Sequence, residues 1–106
     1  MSIRTFARKP VEDFFLTGRA PRREGWASAA TIVKRKLDMI DYANALNDLA
    51  SPPGNRLEAL RGDLKGFHSV CVNDQWRVIF RWTSDCPESV DVVDYHWGVF
   101  SWIEHA

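Results

Sequence analysis

Two consecutive stretches of alternating side chains, separated by Asn73-Asp74, constrain the fold of this chain more than any other feature. Successive side chains of a strand point to opposite faces of a sheet, so alternation over residues 67–73 and again over 75–82 predicts two strands. Asn and Asp favour tight turns, and we therefore expect an antiparallel hairpin. On the second strand Trp76, Val78, Phe80 and Trp82 form an apolar face, and Arg77, Ile79 and Arg81 the opposite one. The two arginines should thus project together, away from the apolar face.

Further strands are predicted near both ends of the chain. Residues 2–7 alternate and predict a short N-terminal strand, and residues 90–94 predict the last strand, after a turn over residues 83–89. Two helices are expected between the N-terminal strand and the hairpin. Pro10 suits the first turn of a short helix over residues 11–16, which Gly18 ends.

The second predicted helix covers residues 28–49, with Ser28 as its N-cap. Apolar residues recur there at helical spacing: Ala29, Val33, Leu37, Ile40, Ala43, Leu46 and Leu49. The Pro-rich run at residues 51–54 is expected to stop this helix, because proline lacks an N–H donor. The order of elements predicts one α+β domain over residues 1–106, with an N-terminal strand and two helices packed on a small, mostly antiparallel sheet. The other face of the sheet is left for a site.

The charge distribution is uneven although the formal net charge is zero. Residues 1–36 hold nine Lys or Arg against three Asp or Glu, whereas residues 37–106 hold five against eleven. This asymmetry indicates an anionic partner for the N-terminal third, or else ordinary solvated faces that segregate by chance. Cys71, in a predicted strand, and Cys86, in a predicted turn, form neither a disulfide framework nor a zinc site. With no apolar run long enough to span a membrane and no signal-peptide core, the expected location is the cytoplasm.

Three segments together closely resemble the HigB branch of the RelE/ParE toxin superfamily. They are N-R-L-E-A-L-R-G-D at residues 55–63, G-F-H-S-V-C-V-N-D-Q-W-R-V-I-F-R-W at residues 66–82 and V-D-Y-H at residues 93–96. The resemblance implies the RelE-like microbial ribonuclease fold. It also implies a type II toxin that cuts messenger RNA in the ribosomal A site, that needs no metal or cofactor, and that a HigA-like antitoxin holds inactive. DNA would be contacted only indirectly, through the antitoxin.

The candidate catalytic residues follow from what metal-independent RNA cleavage needs: a base for the 2′-hydroxyl, cations for the phosphorane and an acid for the leaving 5′-oxygen. Arg77 is the leading candidate for the phosphate clamp, and His96 for the acid or base, since histidine titrates near neutral pH. Glu58 stands where some relatives have histidine, and is either a general base or a charge partner of Arg56 or Arg61. Asp94 either orients His96 or Arg77 or accepts backbone hydrogen bonds. Tyr95 either stacks on a base or packs in the core.

The candidate RNA-binding residues are basic. Arg61 is a second phosphate candidate, whereas Arg56 and Arg81 are either structural or general RNA contacts. We expect the basic cluster Lys34, Arg35 and Lys36, together with Arg19, Arg22 and Arg23, to bind the ribosome. His68 shares a predicted face with Val70 and Val72, which favours a histidine at the edge of the core over a catalyst.

Two other functions remain open on the sequence alone. A ParE-like protein would poison a DNA topoisomerase and would not cut RNA. A degenerate toxin would only bind its antitoxin. Residues 97–106 form an apolar extension beyond the family motif. They either pack beside the expected catalytic cleft near Arg77 and Tyr95 or lie across it.

Overall fold

The computed structural model describes residues 3–84 and 86–94, and within them two α-helices pack on one face of a four-stranded antiparallel sheet. The helices are α1 (Lys9–Thr17) and α2 (Ala30–Tyr42). The strands are β1 (Glu58–Ala59), β2 (Phe67–Cys71), β3 (Trp76–Thr83) and β4 (Cys86–Asp94), in the spatial order β1-β2-β3-β4. The predicted α+β class is confirmed. Tyr95, His96 and the extension at residues 97–106 lie outside the described residues.

The β2–β3 hairpin forms where the alternation predicted it. Val70 pairs with Val78 and Cys71 with Arg77. The Asn73 side chain closes the turn, because its Oδ1 atom accepts hydrogen bonds from the amides of Gln75 and Trp76, both at 2.8 Å. This local bond is the reason that asparagine favours such turns.

β4 begins earlier than the sequence predicted, so the expected turn over residues 83–89 is wrong. Thr83 already pairs with Cys86, which therefore lies in a strand and not in a turn. The register shifts between Ile79 and Arg81, because the paired segment of β4 contains one residue more than that of β3. Ser89, with a φ of 54°, lies in this bulge. A bulge interrupts the two-residue alternation, which hid the first half of this strand.

The two helices differ in how well the sequence placed them. α1 extends the prediction by a few residues, with proline in its first turn, and Gly18 ends it with a φ of 78° and an amide that donates to Phe14 O at 2.8 Å. α2 is much shorter than the predicted 28–49, and Ser28 is not its N-cap. Residues Gly25–Ala29 form a 3-10 turn before α2, and Leu46–Ala50 form another one after it.

The helix ends early because Asp48 offers its side chain to the backbone. Its Oδ2 atom accepts hydrogen bonds from the amides of Asn44 and Ala45, at 3.0 and 3.1 Å. Ala43 and Leu49 are nevertheless buried. The apolar spacing therefore continued past Tyr42 although the helix did not.

The expected N-terminal strand is present only as one parallel bridge between Phe6 and Val90. The segment still runs along β4, since the Ala7 amide donates to Val90 O at 2.9 Å and the Val90 amide to Thr5 O at 3.1 Å. A short stretch of two or three such bonds does not make a regular strand.

The core lies between the helices and the sheet, as the alternating pattern predicted. Its fully buried members include Val33, Leu37 and Ile40 from α2 and Val70, Val78, Phe80, Val90 and Val92 from the sheet. Trp26, in the 3-10 turn before α2, is also fully buried and packs on Phe14 with ring centroids 5.2 Å apart. No helix in the described part of the chain is both long enough and apolar enough to span a membrane.

Candidate functional site

The sheet face away from the helices carries an arginine and a carboxylate in direct contact. Arg77 Nη1 lies 2.8 Å from Glu58 Oε1 and donates a hydrogen bond to Ser69 Oγ at 2.6 Å. Pairing of the strands explains this meeting, because Glu58 on β1 is opposite Ser69 on β2, and β2 in turn pairs with β3. The sequence predicted a loop at Glu58 and missed β1, which is only two residues long. It therefore named Arg56 or Arg61 as the charge partner of Glu58, whereas the structure pairs Glu58 with Arg77.

The depth of Arg77 corrects one expectation. Alternation placed it on the correct face, but its side chain is buried, at 4% exposure, rather than projecting into solvent. Replacement of Arg77 is therefore expected to lower the stability of the fold. Removing a buried guanidinium leaves its carboxylate partner without a counter-charge, and this loss costs stability.

Arg77 opens onto a cavity of about 300 Å³ that we call the arginine cavity. Its lining residues are Gly54, Arg56, Cys71, Asn73, Asp74 and Arg77. Arg56 is exposed and adopts a left-handed backbone, with a φ of 47°. Two arginines that line one concave site suit a phosphate group, since the planar fork of arginine matches phosphate oxygens and keeps its charge.

Arg61 and Arg81, the other arginines singled out from the sequence, do not line this cavity. Arg61 is exposed, in the segment that follows β1. Arg81 is exposed as well, and its guanidinium carbon lies 5.6 Å from the centre of the Phe67 ring. Both remain candidates for contact with RNA outside the cavity.

Asp94 lies at the end of β4, opposite Trp76 on β3. Its Oδ2 atom accepts a hydrogen bond from Gln75 Nε2 at 3.3 Å. Arg77 is the next residue of β3, so Asp94 belongs to the same end of the sheet as the arginine cavity. Tyr95 and His96 follow Asp94 in the chain, and the expectations for them concern residues that the structure does not describe.

The basic run at residues 34–36 does not form one exposed cluster, and the prediction is wrong for Lys36. Lys34 pairs with Asp38 at 2.8 Å, and Arg35 is exposed. Lys36 is buried, at 6% exposure, and donates to Asn55 Oδ1 at 2.6 Å. A signal for this was present in the sequence, because Lys36 is three residues from Val33 and four from Ile40, which places it on the core side of α2.

His68 is half-buried on the face that the helices cover, and its ring stacks on Phe80 with centroids 6.2 Å apart. Burial lowers the pKa of His68, which favours a neutral ring at pH 7. The predicted position at the edge of the core is confirmed.

These observations define a class: a small α+β domain whose uncovered sheet face holds a buried arginine, paired with a partly exposed carboxylate, beside a cavity lined by two arginines. Comparison with known proteins identifies the family of the chain. Residues 4–96 match the sequence model of the HigB-like toxin family, described as "RelE-like toxin of type II toxin-antitoxin system HigB", and the chain belongs to this family.

Two curated proteins are similar to the chain over shorter segments. Toxin HigB-1 of Vibrio cholerae serotype O1 is 56% identical over 48 residues, which are 45% of this chain and 50% of the relative. An uncharacterized protein of Haemophilus influenzae is 41% identical over 54 residues, 51% of this chain and 54% of the relative. The chain thus spans about half the length of these curated relatives.

Proposed function

We propose that this protein is the toxin of a type II toxin–antitoxin system and a ribosome-dependent endoribonuclease that cleaves messenger RNA in the A site. The observation that carries the proposal is the buried Arg77, which is held by Glu58 and Ser69 and lines the arginine cavity with Arg56. Membership of the HigB-like toxin family supports the same activity.

In the proposed reaction the 2′-hydroxyl of the RNA attacks the adjacent phosphorus, and the bond to the 5′-oxygen breaks. The products are a 2′,3′-cyclic phosphate and a free 5′-hydroxyl. Arg77, with Arg56 beside it, stabilises the additional negative charge of the phosphorane. Donors fixed before the reaction stabilise such charge at little cost in reorganisation. In the free protein the ion pair with Glu58 and the hydrogen bond that Arg77 donates to Ser69 fix the guanidinium in this way, and the bond to Ser69 is proposed to hold it after phosphate displaces Glu58.

Glu58 has two proposed roles that this geometry serves. Its side chain is 43% exposed while one oxygen contacts Arg77, so the carboxylate is accessible from the solvent side. It holds Arg77 in the free protein. When a phosphate group takes over Arg77, the released carboxylate is available to accept the 2′-hydroxyl proton. His96 is proposed to protonate the leaving oxygen, with Asp94 as its orienting partner and Tyr95 as a stacking surface for a base.

The proposed partners are a HigA-like antitoxin, the ribosome and its messenger RNA, so the proposed location is the cytoplasm. DNA contact would pass through the antitoxin. Exposed arginines of the N-terminal third, Arg19, Arg22, Arg23 and Arg35, are the proposed ribosome contacts. Counterion release from phosphates gives such contacts a strong salt dependence.

The chemistry of the cut ends tests the proposal. Purified protein is added to translating ribosomes and to the same message without ribosomes, and the new ends are mapped. A cut within A-site codons that leaves a 2′,3′-cyclic phosphate and a 5′-hydroxyl, and that requires ribosomes, is expected. No cutting, combined with inhibition of a DNA topoisomerase, would instead support a ParE-like activity. No effect in either assay with intact antitoxin binding would identify a binding protein only.

A further inference from the structure

A lysine and an asparagine meet inside the protein next to the arginine cavity. Lys36 on α2 is 6% exposed and Asn55 is fully buried, and Lys36 Nζ donates to Asn55 Oδ1 at 2.6 Å. Burial, and then the neighbouring charge of Arg35, lower the pKa of Lys36. An ammonium group is costly to bury, so apolar packing does not explain the presence of Lys36 at this position.

Asn55 uses the other end of its amide to hold the loop that contains it. Its Nδ2 atom donates to Leu49 O at 3.2 Å and to Ser51 O at 3.4 Å. One side chain therefore ties together the end of the 3-10 turn Leu46–Ala50, the Pro-rich segment and, through Lys36, helix α2. Both polar ends of the amide are satisfied, as a buried asparagine requires.

The residues directly after Asn55 are those of the site. Arg56 has its left-handed backbone there and lines the arginine cavity, and Glu58, two residues further, contacts Arg77. A left-handed conformation at a residue other than glycine persists only where the surroundings impose it. The side-chain bonds of Asn55 hold the residue directly before Arg56, and the Arg56 amide donates to Pro53 O at 3.1 Å.

We propose that Lys36 is a positioning residue for RNA binding: through Asn55 it fixes the backbone at Arg56, so that the Arg56 and Arg77 guanidinium groups face one phosphate in the arginine cavity. This inference rests on the proposed function, because it assigns a role within the same RNA site. Lys36 itself, being buried, does not contact RNA. It acts on the substrate only through Asn55 and Arg56.

A thermodynamic cycle tests the link. The proteins are the wild type, Lys36→Met, Arg56→Ala and the double variant, with Lys9→Met as the control for loss of a lysine charge, because Lys9 is exposed on α1 and pairs with Asp13 outside the arginine cavity. Each is titrated with cytidine 3′-monophosphate at low salt, without ribosomes. Arg56→Ala is expected to weaken binding by roughly tenfold, as removal of a charge-assisted hydrogen bond does. Lys36→Met alone should weaken nucleotide binding almost as much as Arg56→Ala does. In the Arg56→Ala background, Lys36→Met should weaken binding hardly any further.

Independent losses that multiply in the double variant would overturn the inference, since Lys36 would then act otherwise than through Arg56. Unchanged nucleotide binding in a less stable Lys36→Met protein would overturn it too, and would leave Lys36 a residue of stability alone. If Lys36→Met does not fold, the same cycle is run with Asn55→Ser, which removes the acceptor of the lysine. Non-additivity with Arg56→Ala is again expected, and additivity again contradicts the proposal.

A second readout separates this inference from the proposed function. The NMR resonance of the Arg56 Nε–H group, measured in protein without nucleotide, should shift in Lys36→Met and remain at its wild-type position in Lys9→Met. An unmoved resonance refutes the positioning role even in an active nuclease. Conversely, a wild-type protein that neither binds the nucleotide nor cuts RNA refutes the proposed function, while a shifted resonance still shows that Lys36 sets the geometry of Arg56.

Discussion

The two faces of the sheet are built from the same strands and stabilised in opposite ways. On the helix-covered face Val78 and Phe80 are fully buried among apolar side chains of α2. On the other face the intervening Arg77 is almost as deeply buried, but against a carboxylate and a hydroxyl. Burial of apolar area stabilises the fold without regard to direction, whereas a buried cation requires particular partners at particular distances. The first face therefore stabilises the protein and the second positions a charge.

Replacing Arg77 should show most clearly that the uncovered face contributes mainly to activity. Arg77→Ala is expected to lower the rate of messenger RNA cleavage by roughly a hundredfold or more, as loss of a donor to transition-state charge does. It should also lower stability, by less than the roughly 3–5 kcal/mol of a fully buried pair, because Glu58 is 43% exposed. Cleavage on ribosomes and urea unfolding measure the two effects.

Arg8→Ala is the matched control, because Arg8 also pairs with carboxylates, Glu24 at 3.0 Å and Asp91 at 2.9 Å, outside the arginine cavity. It should cost stability and leave the cleavage rate per folded molecule unchanged. Full activity in a folded Arg77→Ala protein would remove Arg77 from the mechanism.

Truncating a core side chain on α2, which packs on the covered face, should lower stability without changing activity. Leu37 is fully buried, so Leu37→Ala is expected to lower the free energy of unfolding by about 2–5 kcal/mol. The cleavage rate per folded molecule should stay the same. Leu16, 69% exposed on α1, supplies the control, and Leu16→Ala should change stability little. Equal effects of the two substitutions in urea unfolding would mean that α2 does not pack as described.

Surface charge forms a third case, in which neither face is altered. Reversing Arg19, Arg22 and Arg23, all exposed, to glutamate should weaken association with ribosomes. The salt dependence of binding should also become shallower, by almost one unit of slope for each phosphate that the variant no longer neutralises. Lys36 is left intact in this design, because it is buried. Cosedimentation over a salt series measures the effect, and binding to the antitoxin should fall less. Sedimentation identical to the wild type would exclude this surface.

The smallest effect is expected from pH on the covered face. Burial lowers the folded-state pKa of His68, so the unfolded chain takes up this proton more readily. Stability should then be complete above the unfolded pKa of about 6.5 and decline as the pH falls below it. The wild type should lose more stability than His68→Gln between pH 7 and pH 5 in thermal unfolding. A smaller loss in the wild type would contradict the assigned environment.

The sequence predicted the elements whose pattern is local and regular. Alternation found the β2–β3 hairpin and put Arg77 on the uncovered face, and Pro10 and Gly18 marked α1. Periodicity shows which face of the sheet a side chain is on, but not how deeply it is buried. It therefore could not show that Arg77 is buried. That depth depends on β1, a strand of two residues that leaves no periodic signal.

The remaining differences have equally specific causes. The apolar spacing of α2 continues through a 3-10 turn, so spacing alone could not reveal the break that the Asp48 side chain makes. The bulge near Ser89 hid half of β4. Lys36 was grouped with its neighbours in the chain, although its helical position faces Asn55. The arginine cavity joins Arg56 and Arg77 from separate elements, and only the fold brings them together.

The path of residues 3–8 along β4 bears on how this protein avoids aggregation. A sheet ends in rows of backbone groups that can pair with another chain, and natural proteins block these rows. Here the amides of Arg4 and Ala7 bond to Pro87 O and Val90 O, and the Arg8 side chain donates to Val92 O. At the opposite border, β1 has two residues and offers too short a template for a foreign strand. Within the described residues the chain thus covers part of one border and shortens the other, which limits pairing with strands of other copies.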